Sequence, residues 1–155
     1  MALFLVQHGL SNSKEIDPQK GLTEHGIRET ERIAQVASNY DIPVGKIVHS
    51  GKKRAEQTAA IFAEAFSGDL LLEAVSGIGP MDDFRAFAQN LDPQDNLMVV
   101  GHLPFMQRLV SYLTTGSEQT YVYKFQNSGI VCLDRNVMEK TIGWFIKWTL
   151  NPDIS

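Results

Sequence analysis

The segment NLMVVGH, residues 96–102, limits the possible folds more than any other part of the chain. Its four consecutive apolar residues leave no polar face, which is typical of a strand buried on both sides of a sheet. Short apolar runs of this kind alternate with helical patterns along the sequence, and this alternation favours a mostly parallel sheet. We therefore predict an α/β fold, a three-layer α/β/α sandwich, formed by a single domain over residues 1–155.

Hydrophobic periodicity and turn residues place the predicted elements, and Thr23 is the predicted N-cap of the first helix. The predicted strands are 2–6, 46–50, 70–75 and 96–102. The predicted helices are 24–39, 52–66, 81–91 and 104–113. Residues 121–149 predict two or three further strands, joined by hairpins and added antiparallel at the C-terminal end of the sheet.

Composition excludes several functional classes. The net charge is −4 and the densest basic run, Lys52 to Arg54, is short, so we expect no nucleic-acid partner. No apolar stretch approaches the roughly 18 to 20 residues that cross a bilayer, and the start lacks the basic region of a signal peptide, so we expect a cytoplasmic protein without membrane attachment. Cys132 is the only cysteine, which excludes an intrachain disulfide and a cysteine metal site and predicts a buried, inert thiol.

Three of the predicted strands carry polar chemistry at their carboxyl ends. The residues at these ends are Gln7 and His8, His49 and Ser50, and Gly101 and His102. In open α/β sheets the ligand binds beyond the carboxyl ends of the strands. The sequence therefore predicts that these residues meet in one crevice.

The chemistry of three side chains in this crevice would suit a phosphoryl group. A neutral imidazole such as His8 is a good nucleophile for phosphorus, and Arg54, one helical turn after Ser50, can bind phosphate oxygens bidentately. His102 directly precedes a helix, whose N-terminus favours anions. A single histidine at a strand end more often has a structural role than a catalytic one. We interpret His25 as a surface residue and His49 as a packed residue.

Signatures of other enzyme classes do not occur. No two of the four histidines have the His-x-x-x-His spacing of a zinc site. The sequence also contains no Gly-x-x-x-x-Gly-Lys loop and no Gly-x-Ser-x-Gly elbow, which argues against a nucleoside triphosphatase and an α/β-hydrolase.

Four motifs in order resemble those of the histidine phosphatase superfamily. They are FLVQHGLS, GLTEHG, HSGKKRAEQTA and VVGHLP, and the resemblance extends from residue 3 to about residue 105. The short chain and the Gly-His-Leu-Pro motif are most similar to the phosphohistidine phosphatases of the SixA type. The resemblance implies a phosphoglycerate mutase-like fold.

The resemblance also implies the roles of individual residues. His8 would be the nucleophile that forms a phosphohistidine intermediate, Arg54 would bind the phosphoryl oxygens, and His102 would stabilise the charge of the transferring group. Ser11 and Asn12 would donate further hydrogen bonds to the phosphate. No metal or organic cofactor is implied, and we expect the crevice to bind phosphate or sulfate.

Two positions depart from the family pattern. Gly51 replaces the usual proline, which we interpret as a local change of turn. Gln7 replaces the usual arginine, so a phosphate-binding side chain loses its charge. Exchanging a charge-assisted hydrogen bond for a neutral one costs roughly 1–2 kcal/mol, or about 5- to 30-fold in rate, and up to ~10²–10³-fold in a dry site.

The leaving group helps to predict the substrate. A phosphate ester expels an alkoxide and benefits from a general acid, for which the candidates are Glu73, Asp82 and Asp83, with Asp82 expected beside the substrate. Phosphohistidine expels an imidazole that needs less help, and the chain has no long insertion to cover the crevice. We therefore predict a phosphatase for phosphohistidine on a protein, and we separately expect the protein to be a monomer. The alternatives are a phosphatase for a small phosphate ester and a phosphate-binding module impaired by Gln7.

Overall fold

The computed structural model describes residues 1–67, 69–136 and 143–154, and six strands of these residues form one sheet. In chain order the strands are β1 (Leu3–Gln7), β2 (Lys46–His49), β3 (Leu71–Ala74), β4 (Leu97–Gly101), β5 (Ile130–Arg135) and β6 (Trp144–Leu150). Their order across the sheet is β3-β2-β4-β1-β5-β6. The first four are parallel, whereas β5 is antiparallel to β1 and β6 to β5, as the sequence predicts.

Helices cover both faces of the sheet. They are α1 (Glu24–Asn39), α2 (Lys53–Ala65), α3 (Phe84–Ala88) and α4 (Phe105–Thr115). Apolar residues of α1 and α2 share one buried cluster with Phe4 and Val6 of β1, and those of α3 and α4 share another with Leu3 and Leu5. Successive residues of β1 thus point to opposite layers, and the predicted three-layer fold is confirmed.

Strand β4 lies between β1 and β2, which confirms its predicted central position. Met98, Val99 and Val100 are fully buried, because one helical layer covers each face of this strand. Burying each of these side chains stabilises the fold by about 1.5–3 kcal/mol. The central position brings the carboxyl end of β4 next to those of both neighbours.

Most element boundaries agree with the sequence, and α3 is the main correction. The first helix spans the predicted residues, and the Thr23 hydroxyl accepts a hydrogen bond from the Gly26 amide at 2.9 Å. The predicted helix 81–91 is wrong in extent: only Phe84–Ala88 is helical, because the Asp83 side chain caps the helix at that point. The connection between β5 and β6, where a hairpin is predicted, includes residues 137–142, which lie outside the described residues.

The sheet brings the predicted strand ends together. Gln7 is in register with Gly101, and His49 is in register with Val100. The His8 amide then donates to the Gly101 carbonyl at 3.0 Å, which holds the chain beyond β1 against the chain beyond β4. The polar residues that follow these strands therefore lie at one edge of the sheet.

None of the helices within the described ranges is both long and apolar enough to cross a membrane. Across the same residues, no three His, Cys, Asp or Glu side chains come together in a group that could hold a metal ion.

Candidate active site

Two imidazole rings meet beyond the ends of β1 and β4. The ring centroids of His8 and His102 are 5.1 Å apart, with an angle of 51° between the rings. Ser50, which follows β2, places its hydroxyl oxygen 2.5 Å from Nε2 of His102. The structure thus joins residues from all three predicted strand ends in one site.

The hydrogen bond of His8 fixes which ring nitrogen carries the proton. Its Nδ1 lies 2.7 Å from the carbonyl oxygen of Gly9. Because a carbonyl oxygen only accepts, Nδ1 must donate, and the proton of the neutral ring therefore sits on Nδ1. Nε2 then keeps its lone pair, which is the form of imidazole that attacks phosphorus.

Burial keeps His8 neutral. It lowers the pKa of His8 to about 4, and the positive charges of Arg54 and Lys20 act in the same direction. The hydrogen bond to Gly9 opposes this effect only in part. At neutral pH the nucleophile therefore needs to lose no proton before it reacts.

His102 is neutral for the same main reason. Burial is the main reason that its pKa is lowered to about 3, and the charges of Arg54, Lys52, Lys20 and, once protonated, His8 act in the same direction. Its Nδ1 is buried without a hydrogen-bond partner among the described residues. The cations that disfavour a charged imidazole here would favour a bound phosphoryl anion.

We predict that both rings stay neutral in the free protein down to pH 5. An ordinary imidazole titrates near pH 6.5, whereas the pKa values of His8 and His102 are about 4 and about 3. The ring ¹⁵N shifts of the two histidines, followed by NMR from pH 7 to 4, check this. A titration of either ring above pH 6 in the free protein would contradict it.

The same shifts predict how stability depends on pH. Below pH ~6.5 the unfolded chain binds protons at these two positions, but the native state does not until about pH 4 or lower. The free energy of unfolding should therefore fall as the pH drops from 6.5 towards 4. Urea unfolding at pH 7 and pH 5 measures this fall, and the double variant in which both histidines are replaced by asparagine should lose part of it.

Arg54 lies in the first turn of α2, and hydrogen bonds tie this turn to the loop of His8. The Thr58 hydroxyl donates to the Arg54 carbonyl at 2.8 Å and accepts from the Gly9 amide at 2.9 Å. Burial lowers the pKa of Arg54, but a guanidinium remains charged in proteins. Arg54 therefore presents a fixed positive charge to both imidazoles.

The C-terminal segment contributes contacts that the sequence did not reveal. The Asn127 side chain donates to the His8 carbonyl at 2.9 Å, and the Ser128 amide donates to the Gln7 carbonyl at 2.9 Å. The buried hydroxyl of Ser128 also lies 2.7 Å from that of Thr30 on α1. The Asn-Ser-Gly sequence signals a turn, but nothing in it identifies these distant partners.

The loop after His8 is held by its own hydrogen bonds. Ser11 pairs with Leu22 as an isolated antiparallel bridge. The Asn12 side-chain amide donates to the carbonyls of Gly21 and Leu22 at 3.1 and 3.4 Å. These contacts explain why both residues suit the loop, and their predicted hydrogen bonds to phosphate stay predictions.

Other interactions already engage the three candidate acids. Asp82 accepts from the Gly79 amide at 2.7 Å, and Asp83 caps α3 by accepting from the amides of Arg85 and Ala86. Glu73 forms an ion pair with Lys46 at 2.6 Å. The role of Asp82 beside the substrate stays a prediction. The contact that the structure shows for Asp82 is the hydrogen bond that closes the turn.

Gln7 brings an uncharged amide to the site. Its Oε1 is buried and has no hydrogen-bond partner among the described residues. The cations whose charges reach His102 are Arg54, Lys52 and Lys20. From the sequence, Arg54 is assigned to the site, whereas Lys20 is not singled out.

His25, His49 and Cys132 have the surroundings that the sequence predicts. The side chain of His25 is 63% exposed and lies 3.3 Å from Glu29. His49 is buried and accepts from the Gly51 amide at 3.0 Å. Cys132 is buried as well, and burial raises the pKa of its thiol to about 11, so it stays protonated.

Comparison with known proteins agrees with this arrangement. Residues 3–75, which include His8, Ser50 and Arg54, match the model of the histidine phosphatase superfamily (branch 1). The protein histidine phosphatase SixA in complex with tungstate shares the fold over 99% of each chain, with a TM-score of 0.83 and 22% identity. Residues 3–75 therefore resemble the histidine phosphatase superfamily in sequence, and the chain as a whole shares the fold of SixA.

Other solved structures share the fold at low sequence identity. The SixA protein of Agrobacterium tumefaciens matches with a TM-score of 0.74 and 22% identity over 97% of each chain. A phosphoserine phosphatase of Entamoeba histolytica matches with a TM-score of 0.67 and 15% identity over 96% of this chain and 95% of its own. No curated protein sequence matches the chain. The family match over residues 3–75 supports a phosphatase, and the structural relatives include proteins named for different substrates.

Proposed function

We propose that the chain hydrolyses phosphohistidine on a protein through a covalent phosphohistidine intermediate on His8. The observation that carries this proposal is the 2.7 Å contact between Nδ1 of His8 and the Gly9 carbonyl, which leaves Nε2 free to attack. The charge of Arg54 acts on His8, and the ring centroid of His102 lies 5.1 Å from that of His8, so both residues could stabilise the charge of a phosphoryl group.

The reaction proceeds in two displacements. The lone pair of His8 Nε2 forms a bond to phosphorus while the bond from phosphorus to the substrate imidazole breaks, and that imidazole takes a proton from solvent. Water then attacks phosphorus, the bond to Nε2 breaks, and inorganic phosphate leaves with His8 again neutral. Arg54 holds the phosphoryl oxygens in both steps.

The hydrogen bonds and the ion pair of the three candidate acids favour phosphohistidine over a phosphate ester as the substrate. An alkoxide leaving group gains about 10²–10⁴-fold from a positioned general acid. Asp82 and Asp83 each accept backbone hydrogen bonds, and Glu73 is paired with Lys46, so none is held ready as a proton donor. An imidazole leaving group can take its proton from solvent and depends less on a positioned donor.

We therefore predict that Asp82→Asn changes phosphohistidine turnover by less than about threefold, well below the 10²–10⁴-fold contribution of a general acid. The measurement compares kcat/KM for one protein phosphorylated on histidine and the same protein carrying phosphoserine. Asp83→Asn is the matched control, because it removes the same charge at the next position. A loss above 100-fold for either variant on the serine ester would favour the small-ester alternative.

Restoring the charge at position 7 should raise activity. We expect Gln7→Arg to increase kcat about tenfold, because a charged donor gains on the order of 1–2 kcal/mol over a neutral one at a phosphoryl oxygen. Gln7→Met, which has similar length and no charge, is the control and should not gain.

The same pair of variants tests the binding-module alternative. The buried, uncharged amide of Gln7 is the observation that favours this alternative. If the wild-type chain binds phosphate but releases none from phosphohistidine, and Gln7→Arg releases it, the natural chain is a binding module.

A further inference from the structure

A groove lined by basic residues opens directly beside the phosphoryl site. It has a volume of about 920 Å³ and lies between the loop after β1 and the start of α2. We call it the lysine groove. The basic residues that line it are Lys14, Lys20, Lys52, Lys53 and Arg54. Arg54 belongs to both the groove and the phosphoryl site, so the two are continuous.

The groove carries a local excess of positive charge in a protein whose net charge is −4. Its lining has five cations and one acidic residue, Glu56. Asp17, which is not one of the lining residues, forms an ion pair with Lys53 at 3.4 Å, the one ion pair of a groove lysine among the described residues. A phosphoryl dianion at Arg54 would leave part of this positive charge unmatched on the groove lysines.

Hydrogen bonds hold the two walls of the groove in place. Asp17 accepts from the amides of Gln19 and Gly21 at 3.0 and 2.9 Å, and these bonds and Lys53 keep its pKa below the usual range. The Leu22 amide donates to Gln57 of α2 at 2.7 Å, which links the loop to the opposite wall. The backbone that carries the lysines is therefore held in place before a ligand binds.

We propose that the lysine groove binds an acidic segment of the substrate protein, next to its phosphorylated side chain. This inference rests on the proposed function and adds the class of protein that the site selects. Clefts lined by charge of one sign raise the local concentration and association rate of an oppositely charged ligand by about 10- to 10³-fold. The polar, open groove matches carboxylates on an extended segment, and the negative overall charge opposes long polyanions such as nucleic acid.

Two phosphohistidine peptides test the proposal. One has aspartate and glutamate around the phosphorylated histidine, and the other has asparagine and glutamine at the same positions. At low salt we expect kcat/KM to be about tenfold higher for the acidic peptide, and we expect this advantage to disappear at 1 M salt, where charges are screened beyond about 3 Å. Equal values for the two peptides at low salt would overturn the proposal.

Charge-reversal variants locate the effect. Lys14→Glu should reduce the advantage of the acidic peptide to about threefold or less, as expected when one exposed charge pair becomes repulsive. The control is Lys147→Glu on the edge strand β6, outside the groove, which should keep the advantage. If both variants lose it equally, the groove is not the site.

A binding measurement separates this inference from the proposed function. His8→Ala removes the nucleophile and leaves the groove, and calorimetry should show about tenfold tighter binding of the acidic peptide at low salt. If the wild type hydrolyses neither peptide, the proposed function fails. The ratio of the two affinities still tests whether the groove binds an acidic segment. Equal affinities, or tighter binding of a short DNA than of the acidic peptide, would overturn the groove proposal.

Discussion

Replacing His8 with alanine should abolish phosphate release from a phosphohistidine-bearing protein, with a loss of at least about 10⁴-fold in kcat. The structure gives the reason. Nδ1 of His8 is committed to the Gly9 carbonyl, so Nε2 is the atom that faces the reaction, and no neighbouring group can replace it. His102 is the nearest imidazole, but its Nε2 lies 2.5 Å from the Ser50 hydroxyl.

The control for this variant is His25→Ala. His25 is exposed on α1 and lies beside Glu29, so its loss should leave kcat within about twofold of the wild type, as is usual for surface substitutions. Urea unfolding of both variants verifies that each is folded. Phosphate release by His8→Ala at more than a tenth of the wild-type rate would contradict the assignment of the nucleophile.

Replacing Arg54 with alanine should reduce kcat by about 10²–10³-fold, the usual effect of removing a preorganised charge at the reacting group. Burial makes this charge strong in the site, and Gln7 cannot compensate because its side chain is neutral. The hydrogen bond from the Thr58 hydroxyl goes to the Arg54 backbone carbonyl and therefore survives the substitution.

Arg54→Lys separates charge from geometry. Lysine keeps the positive charge but lacks the planar fork that binds two oxygens, so we expect this variant to recover only part of the activity. Steady-state kinetics with phosphohistidine protein measure both variants. If Arg54→Ala lowered kcat by less than threefold, Arg54 would have no direct role at the phosphoryl group.

The parts of the fold that depend on local pattern were predictable. The continuous apolar run of β4 indicated a strand covered on both faces, and the Thr23 cap placed the start of α1 correctly. The extent of α3 was not predictable, because Asp82 and Asp83 suit a helix start and a tight turn equally well. The Asp82 bond to the Gly79 amide keeps residues 79–82 in a turn.

The site shows the same division between local and distant information. His8, Ser50 and His102 follow strands, and ligands in α/β sheets bind beyond the carboxyl ends of the strands. This rule was enough to predict that the three residues lie close together. Asn127 was missed because it bonds to His8 across 119 positions of sequence, and periodicity carries no signal at that range. Lys20 was missed because it precedes a loop glycine and has a φ of 54°, a backbone turn that the sequence pattern did not locate.

The central claim is that the phosphoryl group passes through His8, and labelled transfer tests it most directly. A protein carrying radiolabelled phosphohistidine is mixed with the wild-type chain, quenched in alkali within milliseconds to seconds, and mapped by peptide mass spectrometry. We predict label on His8 that decays into free phosphate, with no label on the His8→Ala chain. Phosphate release by the wild type with the label on another residue, or equal release by His8→Ala, would contradict the account.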